Sequence, residues 1–179
     1  MTDTNDDLRP ALPELVVSGD EATTLTEMLD FYRAVLERKG SGLSPEQLNI
    51  ALAPSDLTIG GLIFHMALVE DGWFHQKFHG NEPPEPWASV DWESDYDWEF
   101  NNAHTLTPDQ LFAQYHESIA RSRHAYSTAE SLDDLAALTK ANGEKWNLRW
   151  IMVHMIEEYA RHCGHADFIR QSIDGKVDD

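Results

Sequence analysis

The stretch N-L-R-W-I-M-V-H-M-I-E-E-Y-A-R-H-C-G-H-A-D-F-I-R-Q-S, Asn147 to Ser172, decides the fold. Read at alternating steps of three and four, it gives the seam Leu148, Ile151, Met155, Glu158, His162, His165, Ile169. Residues spaced in this way lie on one face of a helix, so the period predicts one long amphipathic helix. Asn147 suits its cap and Gly175 its stop. The seam starts apolar, turns polar for two turns and becomes apolar again. A carboxylate facing a core is costly unless it is paired or bound to metal. Glu158 and His162, four apart, project from the same face, which is a metal-ligand spacing.

The rest of the chain reads outward from this helix. A first helix is expected over Glu21 to Lys39, with the seam Leu25, Met28 or Leu29, Tyr32, Val35 or Leu36, ending at Gly40. Ser44 and Pro45 then start a short turn. A second long helix begins between Ser55 and Thr58 and runs to Phe78, with the seam Leu62, His65, Leu68 or Val69, Trp73. Gly60 and Gly61 lower helix propensity near its start, and would let another element come close. A third opens at Thr107 and Pro108, carries Leu111, Tyr115 and Ser118 or Ile119, and continues to Tyr126. Residues 127–146 read as a connector with a short turn around Leu132 to Leu138. No strand alternation or internal repeat is visible. Four long amphipathic helices predict an all-α fold, a four-helix bundle over residues 21–175, with an N-terminal arm at 1–20 and a tail at 176–179.

Residues 81–106 break the helical pattern. They hold five large aromatics (Trp87, Trp92, Tyr96, Trp98, Phe100) among seven acids, with no Lys or Arg. A connection this long is usually functional or mobile. Either it lids a site and excludes water, or its aromatics pin a long connector to the bundle.

The chain has 179 residues, enough for one domain with a real core. Hydrophobic residues make up 41%, which places it among globular chains. Its formal charge of −19, from 32 acidic and 13 basic residues, repels phosphate backbones and anionic lipid. Nucleic-acid and membrane-surface partners are therefore not expected, and an acidic surface aids solubility. The single cysteine, Cys163, allows no intrachain disulfide and fits a reducing compartment. The acidic start lacks the apolar stretch of a secretory signal, and no segment nears the ~20 apolar residues of a membrane span. A cytoplasmic protein is the expectation.

The last helix offers several ligand pairs: His154 with Glu158, Glu158 with His162, and His162 with His165. At ~1.5 Å rise per residue, His154 and His162 lie ~12 Å apart along the axis and cannot share one ion. The seam favours Glu158 with His162, since His154 sits to one side. A third ligand has to come from another helix, and His65 is the histidine on a core-facing seam there. His75 and His79 lie near an exposed helix end, and His104, His116 and His124 fall in a loop or off the stripe. Two histidines and a carboxylate suit zinc with open positions, and also Fe2+ or Ni2+. Against this stands the common case of a core histidine that is only hydrogen-bonded.

The segments L-T-I-G-G-L-I-F-H-M-A-L-V-E-D-G-W-F (57–74) and L-R-W-I-M-V-H-M-I-E-E-Y-A-R-H-C-G-H-A-D-F-I-R-Q-S-I-D-G (148–175) resemble the DinB/YfiT-like superfamily, most closely its actinobacterial branch. The resemblance covers roughly residues 20–175. It implies a bundle in up-down-down-up order holding one divalent metal. One ligand is a histidine of the second helix, and two come from positions four apart on the last. Most members carry His-x-x-x-His there. Glu158-x-x-x-His162 is instead similar to the pattern of the mycothiol-dependent maleylpyruvate isomerase. By that match His65, Glu158 and His162 are the implied ligands.

The chain ends soon after the last helix, without that isomerase's extra C-terminal domain, which puts maleylpyruvate itself in doubt as substrate. The implied chemistry is transfer or isomerisation with a low-molecular-weight thiol such as mycothiol. A metal ion deprotonates a bound thiol, and the thiolate attacks an electrophilic second substrate. His165, one turn past His162, is the candidate for shuttling a proton or orienting the ligand shell. Cys163 points about 100° away round the helix and reads as packing. Arg161 reads as a partner of Glu157, or as a holder of an acidic group on the thiol. A metal-dependent hydrolase and a non-catalytic, metal-stabilised binding or stress protein are the alternatives. A homodimer through helix faces is also implied.

Overall fold

The computed structural model describes residues 9–177, so the first eight residues of the expected arm and the last two of the tail lie outside it. The described residues form six α-helices: α1 (Glu21–Gly40), α2 (Pro45–Leu48), α3 (Ile59–Glu70), α4 (Trp98–Asn102), α5 (Pro108–Ser127) and α6 (Leu148–Asp174). A π-helical segment, Asp71–Phe78, prolongs α3. Strand pairing among these residues is limited to the isolated bridges Ala51–Thr58 and Leu135–Asn147. Among the described residues no helix is long and apolar enough to cross a membrane.

Local sequence sets the helix ends. Asp20, Thr58, Thr107 and Asn147 each accept a backbone N–H of the first turn through the side chain. Thr107 and Gln110 form a reciprocal capping box with Pro108 behind the cap, and Ser44 with Gln47 does the same for α2. Gly175 ends α6 at φ 75°, a left-handed turn that favours glycine.

The long elements α1, α3 with its π extension, α5 and α6 form the bundle, and cross-links fix their directions. Arg149 near the start of α6 reaches Glu21 at the start of α1, while Arg170 near its end reaches the Lys39 carbonyl at the end of α1. Those two helices are therefore parallel. Glu70 and Asp71 contact Ser122 and Ser118, and Thr128 contacts His79, so α3 and α5 also run together. The Arg33–Glu70 pair, and ring contacts of His65 with His162 and Trp73 with Trp150, show that the two pairs oppose each other. The order is up-down-down-up.

This order explains the 81–106 segment. Two consecutive parallel helices need a return path, and α5 alone spans 20 residues, about 30 Å. The crossover is more structured than its pattern suggested, with α4 and short 3-10 turns at Trp87–Ser89 and Ala103–Thr105. Elements this short leave no periodicity to read. Trp87 pins the crossover: it is 2% exposed, packs on Phe64 and Trp98, and donates from Nε1 to Asp71 Oδ2 at 2.8 Å. Truncating a buried aromatic of this kind typically costs about 3–5 kcal/mol.

Two buried ionic networks tie the helices together. Arg33 of α1 makes a two-pronged contact with Glu70, both bonds 2.7 Å, and the Tyr159 hydroxyl of α6 donates to the same carboxylate at 2.7 Å. Asp71 accepts from Trp87, Ser118 and Arg121. Burying carboxylates is tolerable here because their oxygens are bonded.

Candidate metal centre

The three residues singled out by spacing come together. His65 of α3 and Glu158 and His162 of α6 each offer a ligand atom, and these atoms lie within 4.8 Å of one another. The rings of His65 and His162 stand edge to face with centroids 5.0 Å apart. His162 Nε2 lies 3.4 Å from Glu158 Oε2. Opposed directions of α3 and α6 produce this meeting, since residue 65 from one end then sits level with 158–162 from the other.

Burial differs from a simple core seam. His162 is buried, but His65 and Glu158 are only half-buried. On α3 the deepest face is Leu62, Met66 and Glu70, whereas His65, Leu68, Val69 and Trp73 line a cavity of about 510 Å³ beside it. The helix is apolar nearly all round, so periodicity could not separate the two faces. His165 is exposed, contrary to the seam that placed it inward, and Ala166 takes the core position. The straight 3-4 seam drifts as a 3.6-residue helix turns. The His165 ring still lies 5.5 Å from that of His162.

The donor set suits a divalent ion. His162 Nδ1 is buried with no hydrogen-bond partner. Burial, with His65, His165 and Arg161 adding to it, pushes the His162 imidazole down to about 4, so near pH 7 it is neutral and keeps a lone pair. Glu158 faces three cationic or titratable neighbours, His154 at 3.7 Å, His162, and Arg161 at 3.4 Å. Arg161 also pairs with Glu157. A second group, His154 with Glu157 and Glu158, has a similar spread of ligand atoms but shares Glu158 with the first.

Glu99 of α4 was not found from the sequence. Its Oε1 lies 2.8 Å from His65 Nδ1, and the carboxylate is 4% exposed with Oε2 unpartnered. With the carboxylate as acceptor, Nδ1 is the donor, and Nε2 of the neutral ring then has the lone pair. A carboxylate behind a histidine in this way fixes the tautomer and ring orientation of a ligand. Phe100, next along, stacks on the His65 ring at 4.7 Å. It can approach because Gly61 has no side chain; a Cβ there would sit 3.1 Å from Phe100 Cδ1. The close approach expected at Gly60 and Gly61 is thus real, with Gly60 against the Leu48 carbonyl. The only signal for Glu99 in the sequence was an acid inside an aromatic-rich connection, one of seven.

Cys163 packs away from the centre. It is buried, contacts the Tyr32 carbonyl at 3.6 Å, and burial pushes its thiol up to about 12. His75, His79, His104, His116 and His124 stay outside the cluster.

Comparison with known proteins agrees with this architecture. A crystal structure of a conserved protein from Enterococcus faecalis superposes with a TM-score of 0.68, covering 89% of this chain and 100% of that one. At 17% identity it shows a shared fold. A search of curated proteins found no match. The mycothiol-S-transferase family model matches residues 24–175, from the first turn of α1 to the glycine that ends α6. The chain belongs to the mycothiol-S-transferase family.

Proposed function

We propose that the protein is a metal-dependent S-transferase that joins a low-molecular-weight thiol, mycothiol by family, to an electrophilic small molecule. The observation that carries this is the convergence of His65, Glu158 and His162, with ligand atoms within 4.8 Å, at the edge of an aromatic cavity. Those three would hold the ion. Zinc suits two imidazoles and a carboxylate with open positions, and Ni2+ or Fe2+ would fit the same donors. When bound, such an ion lowers the pKa of a thiol placed on it.

The chain's own residues do the rest. Glu99 holds His65 in one tautomer, so that Nε2 faces its task without a proton to lose. Depressed basicity keeps His162 available as a donor. Phe100, stacked on His65, and the crossover aromatics exclude water from the reacting sulfur. His165, exposed beside His162, would pass the thiol proton to solvent. A carbon–sulfur bond then forms. A leaving group departs with its electron pair, or, for an activated double bond, a proton is returned to the adjacent carbon. No further co-reactant is needed. A cytoplasmic location, which supplies such thiols, and a homodimer belong to the same reading.

Elemental analysis with a turnover assay tests it. The wild type should carry metal, and His65→Ala and Glu158→Ala should each lose it together with conjugation of mycothiol to an electrophile. Full metal in both variants would remove the ligand assignment. Turnover in thiol-free buffer would favour the hydrolase instead. A large drop in melting temperature on chelation, with no electrophile consumed, would favour a binding protein.

A further inference from the structure

The cavity beside His65 has one basic residue in its lining. Lys77, in the π-helical segment, places its ammonium 4.4 Å over the Trp73 ring and 3.4 Å from the Gly72 carbonyl. Among other buried or half-buried basic side chains, Arg33 is taken by Glu70, Lys39 by Asp167, Arg121 by Asp71 and Arg170 by Asp174, while Lys145, bonded to the Ala137 carbonyl, is exposed. Lys77 has no carboxylate within ion-pair distance among the described residues. In a chain with 32 acids and 13 bases, a half-buried lysine without an acid beside it is out of pattern. Burial also pulls the Lys77 ammonium below its ordinary value, so an anion beside it would relieve a real penalty. The wall also carries two acids, Asp97 and Glu99, the second bonded to His65 Nδ1. Neither lies within ion-pair distance of Lys77, and a half-buried cation without a counter-charge beside aromatic rings is the arrangement that receives a charged group of a ligand.

Position gives the shape of that ligand. His65 and Lys77 line the same cavity, and because the Lys77 ammonium folds back to the Gly72 carbonyl its charge lies seven residues along from His65, roughly 10 Å at a helical rise. Trp73 and, from the crossover, Trp92, Tyr96 and Phe100 line the same cavity. Aromatic walls favour a flat apolar body. π-Helical segments recur at functional sites, and this one carries both Trp73 and Lys77.

We propose that this cavity seats the electrophilic substrate, and that the substrate is an elongated aromatic molecule with a carboxylate at the end remote from the reacting carbon. The carboxylate meets Lys77, the rings lie against the tryptophans, and the reactive end reaches His65. Naming the occupant as the electrophile rests on the transferase reading, whereas the binding preference does not.

Isothermal titration separates the two. Biphenyl-4-carboxylate and its neutral carboxamide are titrated into the full-length protein without thiol. A charge-assisted contact predicts that the wild type binds the carboxylate about tenfold more tightly than the amide. Lys77→Met should reduce this ratio below about twofold, and Lys77→Arg, which keeps the charge, should retain most of it. Equal binding of acid and amide by the wild type, or no binding of either, overturns the proposal. So does a ratio that survives in Lys77→Met; a role for Lys77 in bracing Trp73 alone would weaken both ligands equally. Should Lys77→Met lose its cooperative melt, Lys77→Gln supplies the neutral comparison. Carboxylate preference without any S-conjugation would sink the transferase reading and leave the site. Conjugation without carboxylate preference would do the opposite.

Discussion

Replacing Glu99 tests whether the crossover belongs to the metal centre or only covers it. Glu99→Gln keeps an oxygen able to accept from His65 Nδ1 but removes the charge. The present bond is 2.8 Å long and belongs to a buried carboxylate. Hydrogen bonds to charged groups contribute about 1.5–3 kcal/mol and neutral ones about 0.5–1.5, so the exchange is worth about 1–1.5 kcal/mol. At 1.4 kcal/mol per decade this is roughly a tenfold loss in zinc affinity, the low end of the 10- to 100-fold range typical for groups behind a ligand. Glu99→Ala strands Nδ1 and should approach 100-fold. The metal-free protein should respond differently. Glu99 Oε2 is buried without a partner, and in Glu99→Gln an amide nitrogen takes its place, so the relief of a buried charge is set against two unmade donor bonds. Its stability should change by under about 1 kcal/mol, or 2–4 °C in melting temperature. The measurement is competition with a chromophoric zinc chelator at fixed pH, alongside thermal melts of the stripped proteins. Wild-type zinc affinity in Glu99→Gln, under conditions where His65→Ala binds none, would refute the argument that this carboxylate orients His65. Equal losses in affinity and metal-free stability would reduce it to a packing residue.

His154→Ala should leave metal stoichiometry unchanged, because His65, Glu158 and His162 remain; loss of the metal would move the centre to the group His154, Glu157 and Glu158. Cys163, with its thiol pushed up to about 12, should resist iodoacetamide at pH 8 in the native protein and react fully in denaturant, the native thiolate fraction being about 10⁻⁴. Rapid native alkylation would contradict its placement against α1. Glu70→Ala removes the two-pronged partner of buried Arg33 and leaves it only Asp30, and should cost about 3 kcal/mol, seen as a fall of roughly 10 °C in melting temperature. A fall under about 3 °C would mean that water reaches Arg33.

The long helices and their ends were legible because each rests on local chemistry. Thr107-Pro108, Asn147 and Gly175 sit where a cap, a first turn and a stop require them. Glu158 and His162 were legible for the same reason, since a spacing of four on one helix is a statement about geometry. His65 needed more: a seam could nominate it, but its contact with α6 depends on how the two helices are opposed. The Arg33–Glu70–Tyr159 network was not legible, because its members lie 37 and 89 residues apart and each sits among ordinary helix formers. A charged residue on a helix looks solvated until a partner from another element is known. His165 misled because a seam of strict alternation rotates away from the core over several turns.

Glu99 shows why the crossover resists a reading by pattern and still reaches His65. The up-down-down-up order forces the chain to travel the length of the bundle between α3 and α5. That path needs anchors, and Trp87, bonded to Asp71, is one. Once anchored, the segment runs past the open side of α3, where Gly61 leaves room for Phe100 to stack on His65. A buried acid one residue earlier is then within reach of Nδ1. Trp87 bears out the anchoring reading of the aromatics, while Glu99 and Phe100 of the same crossover lie against His65. Topology demands the length; the site uses what that length brings close. It follows that shortening the crossover, even with Trp87 retained, should disturb His65 before it disturbs the bundle, since α1, α3, α5 and α6 keep their own ion pairs and buried core.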